Sequence, residues 1–217
     1  LSVDGLHRTE NELHKINLGE EKLSGGILNY KIRNKLYLGI LYYQSDFNNS
    51  FQKENIFDIS GSQFKYYSFT YNYFIKNILF SGEFSYNNTL VASINSIQFA
   101  FSRNLSLVTS VRNYPKNFYS IHGAAFAESA DDAQNEFGIY TGLRWRSPFG
   151  LINFYYDYFK FPYATYDNPL PSSGKEFLFN LETKITNSIS TNFRYKNENK
   201  EITISTSENK ILSDRIK

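Results

Sequence analysis

Two parts of this 217-residue chain carry side chains able to do chemistry. The first is the segment 115–135, where His122 stands near Ser120, Glu128, Ser129, Asp131 and Asp132. A hydroxyl nucleophile, a histidine base and an orienting carboxylate make a hydrolase when they meet within hydrogen-bond reach. No nucleophile-elbow sequence accompanies them, so no catalytic residue is assigned and a structured loop is the expectation. Glu128, Asp131 and Asp132, with Asn135 and Glu136, also offer oxygens of the kind a calcium ion takes. Their spacing lacks the alternation and central glycine of an EF-hand loop. His122, Glu128, Asp131 and Asp132 therefore stand as a loop ligand or ion site, with no metal and no cofactor assigned. His7, Arg8 and Glu10 form a separate, minor polar group, with His14 seven residues after His7. No cysteine exists to complete a metal set, and none exists for a disulfide or a thiolate nucleophile.

The second part is a row of charges that falls on one face of an alternating pattern. It includes Glu83, Arg112, Glu136, Arg144, Arg146, Asp157, Glu176, Glu182, Lys184, Arg194 and Lys196. The opposite face is apolar and aromatic. Residues 78–87 set Ile78, Phe80, Phe84 and Tyr86 against Leu79, Ser81, Glu83, Ser85 and Asn87. Residues 65–74 set Tyr67, Phe69, Tyr71 and Tyr73 against Ser68, Thr70 and Asn72. The same pattern returns at 136–146, 150–160, 175–185 and 189–196. Side chains of a strand alternate between two faces, so this period predicts strands.

Four weaker strands join these six, at 22–31, 35–43, 89–101 and 105–114. The stretch 89–101 shifts phase, which points to a bulge. Ten strands of about 9–11 residues result, the length of a tilted membrane strand. Helix is nearly absent, with a short tendency at 124–133.

Connections sort by length. The links at 32–34, 75–77, 102–104, 147–149 and 186–188 are tight, and 87–88 is a short turn. The segments 1–21, 44–64, 115–135, 161–174 and 197–217 read as long outer loops or polar stretches. Short turns at one end and long loops at the other are the habit of transmembrane β-barrels. A soluble sandwich or barrel is the competing reading. It would have to fit a great excess of rings inside, for 18 Tyr, 20 Phe and one Trp make up 18% of the chain.

The formal net charge of +2 calls for no nucleic-acid partner, and no basic stripe runs beside the aromatics. No apolar run is long enough for a transmembrane helix. The beginning shows no signal-peptide pattern, and the chain reads as an internal fragment of one incomplete barrel domain spanning 1–217.

Several stretches carry a resemblance. They are LHRTENEL at 6–13, NYPKNFYSIHGAAFAESADDAQNEFGIYTGLRWR at 113–146, FKFPYATY at 159–166 and RYKNENKE at 194–201. Together they resemble the barrel region of outer-membrane proteins of Bacteroidota and related bacteria. In that family a helix-hairpin-helix (ComEA-like) segment precedes the barrel. The resemblance implies an outer-membrane location and a periplasmic segment upstream, and it implies no catalytic activity.

The expectation is thus an all-β, antiparallel transmembrane barrel in contact with outer-membrane lipid. Its lumen would be lined by Glu83, Arg112, Glu136, Arg144, Arg146, Asp157, Glu182 and Arg194. Channel or transport activity for a solute or polymer leads. An anchor for a periplasmic segment or an outer-membrane protein partner is the alternative, and a hydrolase on the His122 loop is the second. A wet channel and an interior closed by ion pairs both fit the charged row.

Overall fold

The computed structural model describes residues 19–53, 58–129, 133–165, 168–186, 188–205 and 210–216. Eleven strands follow one another: β1 Glu21–Ile32, β2 Leu36–Phe51, β3 Gly61–Ile75, β4 Ile78–Tyr86, β5 Val91–Ala100 and β6 Leu105–Tyr114, then β7 Glu136–Ser147, β8 Gly150–Phe161, β9 Ser172–Lys184, β10 Ser190–Ser205 and β11 Lys210–Ile216. All eleven form a single antiparallel sheet in which spatial order equals chain order. Among the described residues there is no helix, at 124–133 or elsewhere.

Turn chemistry drives this meander. Arg33 and Asn34 both take positive φ, 44° and 55°, and Lys35 N–H donates to Ile32 C=O at 2.9 Å. Two consecutive left-handed residues turn a hairpin with the twist its strands need. At the other end, Asn88 takes φ of 71° and Leu90 N–H donates to the Asn87 side chain at 3.1 Å.

Three expectations change. The described residues hold eleven strands, because residues 197–205 are the second half of β10 and residues 210–216 are the returning β11. The loops expected at 44–64 and 161–174 are shorter, since β2 runs on to Phe51, β3 starts at Gly61 and β9 starts at Ser172. No bulge breaks β5, whose register with β4 runs without slip from Tyr86↔Val91 to Ile78↔Phe99. The register shift lies instead between β2 and β3, at Asp46/Phe51.

The apparent phase change of β5 has a local cause. Asn95 points to the otherwise apolar face, where Tyr71 Oη–H donates to its side-chain oxygen at 2.8 Å. Gly82 lies between them, paired to Tyr71 on one side and Asn95 on the other. A Cβ at Gly82 would press on the Tyr71 ring at 2.8 Å. The glycine gives the ring its path across β4.

The sheet bends around its longest described loop. His122 contacts Glu21 on β1, and Glu128 contacts Lys200 on β10. In a flat sheet those strands would stand nine spacings, about 43 Å, apart. The six steps of chain from residue 122 to residue 128 reach about 22 Å at full stretch. Strand side chains stand roughly perpendicular to the sheet, so they add height and not width. The sheet therefore curls about the loop. Among the described residues no ladder joins β1 to β11, and the sheet is open.

The alternation maps onto the two faces. Large apolar side chains on the outer, convex side are solvent-exposed on strand after strand: Tyr67, Phe69, Phe84, Ile97, Val111, Ile139, Trp145, Tyr156 and Phe193. The side facing the loop carries Ser68, Glu83, Ser85, Arg112, Glu136, Asp157, Glu176, Lys196 and Lys200. An apolar cluster on it is Ala92, Tyr114 and Phe118, flanked by Leu90, Ala125, Ala127 and Ala133. That cluster seats the loop on β5 and β6, and burying a ring such as Phe118 contributes about 1.5–3 kcal/mol.

Candidate functional site: the loop held inside the curved sheet

Both ends of the segment 115–135 are tied at one carbonyl. Pro115 C=O accepts from Phe118 N–H at 3.0 Å and from Asn135 N–H at 3.2 Å. This pinch starts the chain inward over the concave face. Tyr114 Oη–H donates to Phe126 C=O at 3.1 Å, and Asn135 donates to Tyr163 C=O at 2.9 Å.

On one flank the loop meets a buried ion-pair network. Arg112 on β6 is 1% exposed and Glu136 on β7 is fully buried. The Arg112 guanidinium donates through Nε to Glu136. It also forms a fork onto Asp157 of β8, at 2.9 and 3.0 Å. Glu136 accepts from Glu128 N–H of the loop at 2.9 Å. A buried charge demands such partners. Room for the guanidinium comes from Gly138, which is paired to Arg112 and carries no side chain to collide with it. The Phe126 ring lies 5.0 Å from Arg112 Cζ, a cation–π contact.

The network continues across β9 and β10. Tyr155 donates to Glu176. Lys196 Nζ is 2.7 Å from Glu176, and Lys200 Nζ is 2.8 Å from Glu198 and 3.0 Å from Glu128. Glu128, Glu176 and Glu198 approach within 4.8 Å of one another, the spacing of a cation site. The ammonium groups of Lys196 and Lys200 already sit among them, so the protein supplies its own cations. Five carboxylates face three cations in this network, so this part of the concave wall is net negative.

On the other flank, His122 Nε2 lies 2.6 Å from the Glu21 carboxylate of β1, and its ring meets the Tyr43 ring edge-on. The loop residues singled out from sequence are thus drawn apart: His122 goes to β1, and Glu128 to β10. Asp131 and Asp132 lie outside the described residues, as do His7, Arg8, Glu10 and His14. Among the described residues Ser120 makes no hydrogen bond to His122. Burial holds the Tyr119 hydroxyl above the usual phenol range, and the negative Asp58 adds to the effect.

The eight residues of the expected lining row share the concave parity. Arg112, Glu136 and Asp157 come together, and Glu83 lies apart, accepting from Ser68 at 2.5 Å and Ser85 at 2.8 Å. Arg144, Arg146, Glu182 and Arg194 are exposed, toward the short-turn end. Glu182 accepts from Asn180 at 3.0 Å. The sequence reading passed over Glu21, Tyr155, Glu198 and Lys200. Glu198 and Lys200 had a visible signal, for they extend the even-numbered polar series Arg194, Lys196.

Between the loop and β2–β6 lies a cavity of about 310 Å³, lined by Tyr43, Tyr66, Glu83, Ile94, Tyr114 and Phe118 among others. Comparison with protein-family models, with curated proteins and with solved structures returns no match.

Proposed function

We propose that this chain is the wall of an outer-membrane β-barrel that passes a small solute through a lumen narrowed by the loop 115–135. The observation carrying the reading is the division of the two faces. The convex side exposes aromatic and aliphatic side chains over most of the strands, with Trp145 and Tyr67 about two-fifths exposed. Water disfavours so large a continuous apolar surface, and lipid accepts it. The concave side holds charge, paired and partly open to solvent, as a wet interior requires. The resemblance to Bacteroidota outer-membrane proteins points the same way.

A loop that folds inward and is pinned on two flanks narrows a barrel without needing to seal it. The net negative charge beside it favours cations in transit. The full-length protein in a planar bilayer should give stepwise currents with a preference for cations. Removing residues 119–132 should enlarge each step. A folded, inserted protein that passes no current in either form sinks the channel reading.

The anchor reading draws on the same loop. If the loop closes the interior, the barrel serves to hold an attached periplasmic segment or partner. It predicts silence in the bilayer and mislocalisation of the partner when the barrel is removed. We do not propose a hydrolase, because the described residues give His122 a carboxylate partner but no nucleophile within hydrogen-bond reach.

A further inference from the structure

The cavity between the loop and β2–β6 has one carboxylate on its wall, Glu83, that forms no ion pair among the described residues. Glu83 takes both of its hydroxyl donors, Ser68 and Ser85, on the same oxygen, Oε1. Among the described residues no group donates to Oε2. The rest of the wall is mostly carbon: Leu41, Ala92, Ile94, Phe118, and the rings of Tyr66 and Tyr114. The cations of the neighbouring network are occupied elsewhere, Arg112 with Glu136 and Asp157, and Lys200 with Glu128 and Glu198. His122, at the rim, is held by Glu21.

These features define a ligand by exclusion. An anion would meet Glu83 with no opposing cation in the wall. A divalent metal ion needs several oxygen ligands, and one carboxylate with two hydroxyls falls short. A sugar would leave most of its hydroxyls against carbon, each unpaired at a cost. A monovalent organic cation satisfies every part. Its charge meets the Glu83 carboxylate, and its apolar body fills the carbon-lined space beside the tyrosine rings. The volume, about 310 Å³, lies at the small end of the usual range for ligand pockets.

We infer that this cavity binds a small amine or quaternary ammonium compound with an apolar body, with Glu83 as its counter-charge. The site belongs to the loop and five strands, so it stands whether or not the barrel passes solute.

The test is calorimetric titration of the full chain, folded in maltoside micelles, with 2-phenylethylammonium. Its neutral analogue 2-phenylethanol is titrated alongside, and each heat is corrected for empty micelles. The cation should bind at least about tenfold more tightly than the alcohol, the order expected of one charge-assisted contact. Glu83→Gln, which keeps shape and loses charge, should erase that difference and leave the alcohol unaffected. Equal affinities in the unmodified protein overturn the inference without any variant. So does cation binding that Glu83→Gln leaves unchanged, or no binding of the cation at all. A protein that conducts but ignores the cation defeats only this site, and one that binds it but never conducts defeats only the channel.

Discussion

Gly138 is the residue paired with Arg112 across β6 and β7, and the guanidinium occupies the space a side chain at 138 would fill. The relationship makes a backbone position part of an electrostatic one. Gly138→Val must push Arg112 out of its fork with Asp157, or lift β7 from β6. Overpacking of this kind costs about 1–3 kcal/mol. Urea-induced unfolding in micelles measures it, and an unchanged midpoint would show that the guanidinium does not need this space.

Arg112→Met tests the network from its centre. It leaves Glu136 and Asp157 buried without their cation, and breaking a buried pair from one side costs about 3–5 kcal/mol. Adding Glu136→Gln and Asp157→Asn removes the stranded charges and should restore most of the loss. If the triple variant is no better than the single one, the network contributes shape and not charge compensation.

His122→Ala tests the other flank. The side chains of His122 and Glu21 are 40% and 28% exposed, so the pair contributes at most about 1 kcal/mol to global stability. The change should appear locally, as faster proteolysis within 116–129 and larger current steps. A loss of several kcal/mol would mean that the loop is a keystone of the fold.

Ile139→Arg separates a lipid-facing wall from a water-facing one. The position is on the convex face of β7 and 39% exposed. Near a bilayer midplane an arginine costs about 2–4 kcal/mol, whereas an exposed surface substitution in water stays within about 0.5 kcal/mol. Comparing folding stability in phospholipid vesicles with the unmodified chain decides between them.

Much of the sheet was legible because strands repeat every two residues. Ser68, Glu83, Arg112, Glu136 and Asp157 share a face by parity alone, and the ladders place them there. The signal failed where both faces turn polar. Asn197 and Asn199 occupy outward positions in β10, so no apolar alternation marked residues 197–205 as strand. It also misled at Asn95, whose outward amide is satisfied by Tyr71 from two strands away.

The path of the loop was not legible. Its contacts join residues far apart in the chain, such as His122 with Glu21 and Glu128 with Lys200. Proximity in sequence grouped His122 with Glu128, and packing on β5 and β6 sent them to opposite flanks. The two-sided grip needs the curvature of the whole sheet, which no local pattern encodes.

Trp145 offers the most direct measurement, because it is the chain's one tryptophan and lies on the convex face beside the short-turn end, paired with Leu105 and Ile152. The protein would be reconstituted into vesicles of phosphatidylcholine brominated along the acyl chain, and tryptophan emission compared with that in unbrominated vesicles. A lipid-facing wall predicts blue-shifted emission, strongly quenched by bromine and little affected by aqueous acrylamide. Emission at the wavelength of tryptophan in water, quenched by acrylamide and indifferent to bromine, would contradict it.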